Sequence, residues 1–265
     1  NSVRREAIQK MEQLRNKKIY RKSISKESIQ KYFASIKIEQ KQNYRMPKLS
    51  VSVNDMESGL RAIEAGATRI YLSSECLWGT NKDQKSLAEF SKTATSKRVQ
   101  LAIALPRIWH QKEIARLEKL VSDIEETNII GYLVGNVGTL KLLKNLNNTK
   151  AIFVDYSFNV FNSLACSLLQ QQDNIKSITL SPELTFEQIK VINMSSEIER
   201  ECIVHGYLPL MITEYCAVGA LVGGKTADRV CTKPCLKSRY GLKDRLNFVF
   251  PIEMDESCRM YVYNS

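Results

Sequence analysis

Four cysteines near the C-terminal end of the sequence have a spacing that suits a site for a soft metal. Cys216, Cys231, Cys235 and Cys258 are separated in turn by fourteen, three and twenty-two residues. Four thiolates can close a tetrahedral zinc site or hold an iron–sulfur cluster. Buried free thiols are the alternative, because unpaired cysteine is among the most buried residue types. The surrounding segment is rich in Gly, Pro and Lys and poor in core pattern, which favours a metal or a cluster.

Composition places the chain among ordinary globular proteins. It has 265 residues, of which 43% are hydrophobic and 25% are charged. No apolar run approaches the roughly 20 residues that a membrane-spanning helix needs, and no signal peptide is visible. Seven cysteines are an odd number, and the chain is too long for a disulfide-stapled scaffold. These features predict a cytoplasmic protein without a membrane partner, in which the thiols stay reduced.

Positive charge is concentrated at the N-terminal end. Residues 1–48 carry fourteen Lys or Arg and four Glu, a net +10 of the total of +11. A basic arm of this kind suits a polyanion such as RNA; a solvated linker helix is the alternative. The candidate phosphate-binding residues are Arg15, Lys17, Lys18, Arg21 and Lys22. Because the chain opens at Asn1 inside a charged helical pattern, we expect a fragment or a processed product, with upstream domains of the same polypeptide as partners.

Hydrophobic periodicity predicts two helices, followed by alternating strands and helices. The first two helices cover residues 2–18 and 25–38, and Pro47 ends this segment. The predicted strands are 49–53, 68–74, 99–106, 129–134, 151–156, 177–181 and 201–206. The predicted helices between them are 55–65, 84–96, 113–126, 137–146, 160–171 and 185–193. The strands are short, β-branched and apolar almost throughout, which is typical of strands buried on both faces of a parallel sheet.

The strand–helix alternation predicts the fold class. Parallel strands that recur at the spacing of a βα unit are typical of a (β/α) barrel. No G-x-G-x-x-G follows the first strand, so a dinucleotide-binding fold is disfavoured. The alternation stops after the seventh strand. We therefore predict an α/β protein with a variant or incomplete TIM-type (β/α) barrel over residues 48–208, a basic helical arm or linker over 1–47, and a cysteine-rich C-terminal tail over 209–265 that packs on the barrel.

Polar residues at the strand ends are the candidates for catalysis, because the function of such barrels lies where the strands end. The candidates are Asp155, Asn159, Glu183, Glu201 and His205. Further polar residues at strand ends are Asn54, Ser74, Glu75, Asn136 and Ser181. Each can instead be a helix cap, as in Asn54-Asp55 or Ser181-Pro182-Glu183. A histidine at a strand end is often a hydrogen-bonded structural residue, although the neighbouring cysteines favour a role for His205.

Several short segments in the second half of the chain form a recognisable series. They are DYSFNVFN (155–162), LSPEL (180–184), E-x-x-V-H-G (201–206), EYCAVGALVGG (214–224), KPC (233–235), LKDR (242–245), FPI (250–252) and the closing YNS. These segments resemble the peptidase U32 family, also called collagenase-like proteases. The resemblance covers about residues 48–265 and is strongest from residue 150 onward. The chain looks most like the C-terminal part of the long bacterial members, which carry another barrel upstream.

The resemblance implies a variant TIM-type barrel and two kinds of activity. Some members are described as collagen-degrading proteases. Others look like iron–sulfur proteins that support hydroxylation of RNA bases, or of the quinone ring, without molecular oxygen. The family signature has two cysteines in this region. This chain has Pro209 at the position of the first and keeps the second, which is Cys216. The resemblance therefore implies a 4Fe-4S cluster on Cys216, Cys231 and Cys235, with Cys258 as the fourth ligand and Cys76 in reserve.

Three functions remain open at this stage. The first is an iron–sulfur module that supports hydroxylation of RNA bases. The second is an endopeptidase; the chain has no HExxH and no GxSxG motif, and a Ser/His or Cys/His arrangement would have to use His110 or His205. The third is a non-catalytic domain that binds RNA or docks on an upstream catalytic barrel. The sequence also leaves the choice between structural zinc and an iron–sulfur cluster open.

Overall fold

The computed structural model describes residues 2–18, 24–35, 46–78, 81–125, 127–195 and 197–264. The chain forms two compact units, residues 1–39 and 40–265. In the first unit, helix α1 spans Ser2–Lys18 and helix α2 spans Lys26–Ser35. The Oγ atom of Ser25 accepts a hydrogen bond from the backbone N–H of Ser28 and so caps α2. Both predicted helices are confirmed, although the predicted end of the second, residues 36–38, lies outside the described residues.

The second unit is built on a parallel sheet of seven strands in the order β1-β2-β3-β4-β5-β6-β7. The strands are β1 Ser50–Val53, β2 Arg69–Ser73, β3 Gln100–Ala104, β4 Gly131–Val134, β5 Ala151–Val154, β6 Ile175–Thr179 and β7 Glu199–Glu201. The helices that connect them are α3 Met56–Glu64, α4 Asn81–Ser96, α5 Ile114–Glu125, α6 Val137–Asn145, α7 Ser163–Gln170 and α8 Phe186–Val191. This alternation confirms the predicted α/β class.

Side-chain caps explain where several helices begin. Asp55, Asn136 and Asn162 each accept a hydrogen bond from the backbone N–H three residues later, at 2.7, 2.7 and 2.9 Å. Thr185 begins α8 with a reciprocal pair of bonds to Gln188. These bonds satisfy N–H groups that a helix leaves without partners. Among the polar residues at the strand ends, Asn136 is therefore a helix cap, and Asn54-Asp55 supplies another through Asp55.

The main core lies between the outer face of the sheet and the helices. Ile70, Leu72, Ile103, Val134 and Val154 on the outer face have no exposed side-chain surface. The inner face is lined partly by a smaller group, Tyr71, Ala102 and Phe153, with Ala104, Leu133 and Ala151 packed against it. The two faces carry different residues because successive side chains along each strand point to opposite faces of the sheet.

The sheet curls so that its two edge strands approach each other. Ser50 on β1 donates a hydrogen bond to Glu201 on β7 at 3.1 Å, although these strands lie at opposite ends of the strand order. Arg69 on β2 reaches Glu199 and Glu201 on β7, both at 2.6 Å. A flat sheet of seven strands cannot bring these side chains together. The prediction of an incomplete (β/α) barrel is confirmed.

Residues 209–264 form a second sheet, which the sequence analysis missed. The antiparallel order is β8-β11-β10-β9, and its small core includes Ile252, Met260 and Val262. The strands are β8 Pro209–Thr213, β9 Tyr240–Lys243, β10 Val249–Met254 and β11 Met260–Tyr263, with the short helix α9 Ala217–Leu221 after β8. These strands were not predicted because they are short and each leaves one side exposed, so the sequence of this segment has little core pattern.

The seventh strand lies earlier in the chain than predicted. It covers Glu199–Glu201 rather than residues 201–206, and the chain then bends through His205 and Gly206, where Gly206 has a φ of 133°. The apolar run that suggested a strand leaves Val204 86% exposed. No helix in the described part of the chain is long and apolar enough to cross a membrane.

Candidate functional site

Residues at the carboxyl ends of three barrel strands lie near β11 of the second sheet, close enough for Glu75, Arg107 and Tyr156 to influence its two tyrosines. Glu75 follows β2, Arg107 follows β3, Asp155 and Tyr156 follow β5, and β11 contributes two tyrosines. We call these six residues the mouth cluster: Glu75, Arg107, Asp155, Tyr156, Tyr261 and Tyr263. Polar groups at the carboxyl ends of parallel strands are where barrels of this type carry their function.

Aromatic rings and one guanidinium dominate the mouth cluster. The Arg107 Cζ atom lies 5.7 Å from the ring centroid of Tyr156. The rings of Tyr261 and Tyr263 are nearly parallel, with 6.3 Å between centroids. Burial raises the pKa of Tyr261 to about 12, and the carboxylates of Asp255 and Glu75 raise it further. Burial likewise raises the pKa of Tyr263, so the hydroxyls of both residues stay neutral near pH 7.

Glu75 is the carboxyl group of the cluster that titrates near neutrality. Burial raises its pKa to about 7, and the negative charges of Asp255 and Glu256 act in the same direction. A backbone hydrogen bond from Glu256 and the charge of Arg259 oppose these effects without cancelling them. A carboxyl group with such a pKa can give or take a proton at physiological pH.

Asp155 is held by the loop that follows β4. Burial raises the pKa of Asp155, against the lowering effects of its hydrogen bonds and of Arg107. The Ser157 Oγ atom lies 3.1 Å from Asp155 Oδ2 and 2.7 Å from the carbonyl oxygen of Gly135. The Ser157 hydroxyl therefore links the Asp155 carboxyl group to the backbone that follows β4.

Arg107 is positioned through its backbone. The Asn136 side-chain amide donates to the Arg107 carbonyl oxygen at 2.9 Å. A Cβ atom on Gly135 would stand 3.0 Å from Ser157 Oγ, which is tight, and 3.5 Å from Arg107 Cα, which is an ordinary contact. The Asn136 bond anchors the Arg107 backbone after β3, and the guanidinium lies beside the ring of Tyr156.

β11 separates the mouth cluster from the cysteines. Met260 and Val262 are buried in the core that also contains Cys216, while Tyr261 and Tyr263 alternate to the opposite face. Cys258 lies just before the strand. One short strand therefore forms a wall that two candidate sites share.

Arg259 ties this wall to the barrel. It is 1% exposed, and its Nε atom donates to Asp255 Oδ2 at 2.6 Å. Its Nη1 atom donates to the carbonyl oxygen of Ile108, in the loop after β3, at 3.0 Å. Glu113 lies 3.3 Å from Nη2 of the same guanidinium and accepts a hydrogen bond from Ser257. These bonds hold the β10–β11 turn against the barrel.

The structure brings Cys216, Cys231, Cys235 and Cys258 together. Burial raises the pKa of the Cys235 thiol, and the charges of Cys216, Cys258 and Cys231 raise it further. All seven cysteines lie among the described residues, and none is in a disulfide. The convergence agrees with the set of four that the spacing suggested, while metal binding by these residues stays a prediction.

Backbone groups crowd around two of the sulfur atoms. Gly219 donates its N–H to Cys216 Sγ at 3.2 Å, and Lys233 donates its N–H to Cys231 Sγ at 3.3 Å. A Cβ atom on Gly219 would lie 3.4 Å from Cys216 Sγ and 3.5 Å from Cys231 Sγ. A Cβ atom on Gly223 would come within 2.4 Å of Cys231 Sγ. N–H donors of this kind are what sulfur ligands of clusters receive.

The four sulfur atoms are not arranged as a finished site for a single ion. Among the residues that the structure describes, no three Cys, His, Asp or Glu side chains are placed so that they could hold a metal ion. The reserve ligand Cys76 is partly buried, and its thiol donates to the Ser73 carbonyl oxygen at 3.0 Å. Gly219 lies beside the sulfur atoms of both Cys216 and Cys231, and Cys235 is near enough to Cys216, Cys231 and Cys258 for their charges to raise its pKa.

Glu201, a candidate for catalysis, lies at the opposite end of the barrel. It accepts hydrogen bonds from Arg69 at 2.6 Å and from the Tyr71 hydroxyl at 2.8 Å. Arg69 also pairs with Glu199, which Lys48 contacts as well. We call Lys48, Arg69, Tyr71, Glu199 and Glu201 the Arg69 network. Arg69 and Glu199 begin β2 and β7 and Lys48 precedes β1, so most of the network lies where the strands start, which indicates a role in stability.

Of the other candidates, only Asp155 lies in the mouth cluster. Asn159 is exposed in a left-handed conformation with a φ of 51°, and Glu183 and His205 are exposed in loops. His110 Nε2 lies 2.7 Å from Glu214 Oε1, at the surface. On the basic arm, Arg15 is exposed on α1, and Lys17 and Lys18 end that helix. Arg21 and Lys22 lie outside the described residues.

Most of the mouth cluster could not be predicted from the sequence. Glu75 was noted as a polar residue at a strand end, and Asp155 was a candidate. Arg107 follows Pro106, which was predicted to end the third strand, so its position was available as a signal. Tyr261 and Tyr263 had no signal, because the second sheet was not predicted.

Comparison with known proteins identifies the family. The sequence model of Peptidase family U32 matches residues 54–262, so the chain belongs to this family. A curated relative is the 23S rRNA 5-hydroxycytidine C2501 synthase of Escherichia coli strain K12, which is 23% identical over 207 residues. The match covers 76% of this chain and 31% of the relative. The chain therefore spans about a third of the length of that relative.

Two solved structures share part of the architecture. D-psicose 3-epimerase from Clostridium cellulolyticum H10 matches 54% of this chain and 69% of its own, with 7% identity and a TM-score of 0.39. The HpcH/HpaI aldolase from Desulfitobacterium hafniense DCB-2 matches 55% and 66%, with 9% identity and a TM-score of 0.32. Both likenesses are too distant to carry an argument about function.

Proposed function

We propose that this chain is an iron–sulfur module that supports hydroxylation of an RNA base, as part of a larger cytoplasmic protein. The observation that carries the proposal is the convergence of four cysteines behind the wall of the barrel mouth. A family relative whose name is that of an rRNA hydroxycytidine synthase supports the choice of substrate. The alternative occupant of the cysteines is a structural zinc ion.

The four cysteines have the chemistry that such a cluster needs. Cys216, Cys231, Cys235 and Cys258 supply soft sulfur ligands, and two of them already accept backbone N–H bonds. Gly223 leaves space for the Cys231 sulfur that a Cβ atom would fill. A bound iron–sulfur cluster would supply electron transfer at this position. A 4Fe-4S type is proposed because four thiolates are its usual complement.

The residues of the mouth would perform the work on the substrate. Arg107 carries a permanent positive charge, and the tyrosines offer neutral hydroxyls and ring faces. Glu75 is a half-buried carboxyl group whose pKa of about 7 lets it hold or release a proton at neutral pH, and burial also raises the pKa of Asp155. Together they can bind a polar planar ring and move a proton at its edge. The rest of the barrel positions these groups and excludes water from one side.

Exposed apolar side chains favour a second candidate, a docking role within a larger polypeptide. Val204, Leu221, Val230 and Leu236 are each at least 80% exposed, and all lie between β7 and β9. Single exposed apolar residues are normal, whereas a contiguous group of them is typical of an interaction surface, so these four are the residues to test for docking. The relative is about three times as long as the matched region, which fits docking on another domain.

Metal analysis under nitrogen tests the proposal first. We expect about four irons per chain, with a broad visible absorbance, and we expect Cys231→Ser to lose both. Cys202→Ser is the matched control, since Cys202 is exposed and lies outside the group of four. A content of one zinc ion per chain, in place of iron, would show that the four cysteines form a structural zinc site and not a cluster. A chain that binds neither metal would overturn the metal proposal.

Deletion of the gene in its native host tests the substrate. We expect mass spectrometry of the ribosomal RNA nucleosides to show the loss of a hydroxylated pyrimidine, restored by the wild-type gene and not by Cys231→Ser. An unchanged nucleoside profile would reject the proposed activity on ribosomal RNA.

A further inference from the structure

We propose that Arg107, Tyr156, Tyr261 and Tyr263 form the binding site for a planar heteroaromatic ring, with Glu75 at its polar edge. The ring would be a pyrimidine base taken out of its stack. This inference rests on the proposed function for the identity of the ring, while the site itself rests on the geometry of the mouth.

The mouth is open on the inner face of the sheet. At the ends of the strands, Ala104 and Leu133 on the inner face remain partly exposed, as do Asp155 and Tyr156 just beyond them. Their neighbours on the outer face, such as Ile103, have no exposed surface. At the carboxyl end of β3 the inner side chain is Ala104, which is small and partly exposed and so leaves room at the mouth. The opening is therefore confined to the inner face of the sheet, since the outer face is tightly packed.

The groups around this opening suit a ring better than a peptide or a bare phosphate. Three aromatic side chains from β11 and the β5 loop offer faces on which a base can stack, and each stacked base contributes about 1–3 kcal/mol. The guanidinium of Arg107 already lies over one of these rings and can stack on a second plane. A site for a phosphate alone would not need three tyrosines.

Polar groups at the rim can read the edge of a pyrimidine. Glu75 lies close enough to Tyr261 and Tyr263 for its charge to raise the pKa of both hydroxyls. The neutral tyrosine hydroxyls can donate or accept. A carboxyl group and hydroxyls around a ring match the mixed donors and acceptors of a base edge. An apolar ring would leave these partly buried groups without partners.

The location also explains why the ring site and the cysteines share a strand. Tyr261 and Tyr263 face the mouth while Met260 and Val262 face the cysteine side, and alternate residues of a strand point to opposite faces. A ring stacked on β11 would be separated from the cysteine side by one layer of backbone.

Direct binding tests the site without relying on activity. The probe is a short single-stranded RNA that contains one cytidine, titrated by calorimetry into the 265-residue chain prepared under nitrogen. We expect Tyr263→Leu to weaken binding about 10- to 100-fold, the equivalent of one lost stacking contact. Tyr263→Phe should stay within about 3-fold of wild type, because it keeps the ring.

Tyr207→Leu is the matched control. Tyr207 lies just before β8 and is 68% exposed. The Tyr207→Leu variant should bind the RNA as tightly as the wild-type chain. Iron content and melting temperature are measured for each variant, so that a loss of the cluster or of the fold is not mistaken for a loss of the ring site. The inference is overturned if wild type does not bind the RNA, if Tyr263→Leu binds like wild type, or if Tyr207→Leu is weakened as much.

The outcomes separate this inference from the proposed function. If the gene deletion abolishes an RNA modification that Tyr263→Leu restores in full, the ring site is wrong and the function stands. If the modification profile is unchanged by the deletion but the RNA is bound and Tyr263→Leu weakens it, the ring site stands and the function is wrong. Tighter binding of a soluble benzoquinone than of the cytidine RNA would reject a pyrimidine as the ring.

Discussion

The two ends of the incomplete barrel solve the burial of charge in opposite ways. At the start of the strands, the Arg69 network pairs one buried guanidinium with two carboxylates, and the Tyr71 hydroxyl adds a further hydrogen bond. At the mouth, Glu75 faces other carboxylates and its pKa is raised to about 7, chiefly by burial. Ser74 Oγ is buried there without a hydrogen-bond partner among the described residues.

This difference separates a stabilising end from a functional one. Buried charges that are paired and hydrogen-bonded hold a structure together. Buried groups that face like charges or have no hydrogen-bond partner cost stability, and they are commonly retained because they serve a chemical function. The Arg69 network also joins β2 to β7, so it closes a barrel that lacks its last βα unit. The described side chains of the mouth cluster do not join the edges of the sheet in this way, and they remain partly exposed to solvent.

The largest effect is expected from removal of the guanidinium of the Arg69 network. Arg69→Met leaves Glu199 and Glu201 without their buried partner, which should cost about 3–5 kcal/mol of unfolding free energy. Urea denaturation at pH 7 measures the loss. Arg61→Ala is the control, because Arg61 forms an exposed pair with Glu57 and should change stability by less than about 0.5 kcal/mol. Equal effects of the two variants would remove the contrast between the ends.

A smaller effect is expected from crowding of the cysteine group. Gly223→Ala places a Cβ atom within 2.4 Å of Cys231 Sγ and 2.9 Å of the Gly219 carbonyl oxygen, and should cost about 1–3 kcal/mol. The displaced sulfur should also lower the metal content of the purified chain. Gly66→Ala is the control for backbone strain, since Gly66 has a φ of 95° and open space around it. It should leave the metal content unchanged, and a loss there would show that crowding is not the cause.

The conflict at the mouth predicts a pH-dependent stability. The pKa of Glu75 is about 7 in the folded chain and about 4.5 when unfolded. Folding therefore favours the protonated form, and the contribution of Glu75 is fully present below pH 4.5 and is lost as the pH rises through 7. Glu75→Gln should be more stable than wild type by about 1–2 kcal/mol at pH 8, and the difference should shrink toward pH 4.5.

Denaturation in urea at several pH values provides the measurement for Glu75. Glu253→Gln, an exposed carboxylate on the neighbouring strand β10, is the matched control and should stay within about 0.5 kcal/mol of wild type at pH 8. If Glu75→Gln is less stable than wild type at pH 8, the carboxylate is stabilised by its surroundings and the proposed conflict at the mouth is absent.

The smallest effect is expected at the surface link between the two sheets. Glu214→Gln removes the partner of His110, and their side chains are 65% and 45% exposed. Exposed pairs contribute little, so the melting temperature should change by less than about 2 °C. A larger fall would show that this link helps to hold the second sheet on the barrel.

Much of the barrel could be predicted because its information is local. Apolar runs such as Arg69–Ser73 and Gly131–Val134, bounded by helix caps at Asp55 and Asn136, mark buried strands and helix starts within a few residues of each other. The seventh strand was misplaced because Glu199–Glu201 is charged, and its charges are satisfied by Arg69, 130 residues earlier in the chain. No local pattern contains that information.

The sequence alone determined the α/β alternation, the group of four cysteines and the family resemblance, because residue type and spacing carry each of them. Tertiary structure decided the rest. It assigned Glu201 to a stabilising network and Asp155 to the mouth, although both lie near a strand end. It also placed Tyr261 near Arg107 and Tyr263 near Tyr156, although both tyrosines lie more than 100 residues further along the chain. Burial and electrostatic neighbours set the role of a polar residue, and both depend on segments that meet only after folding.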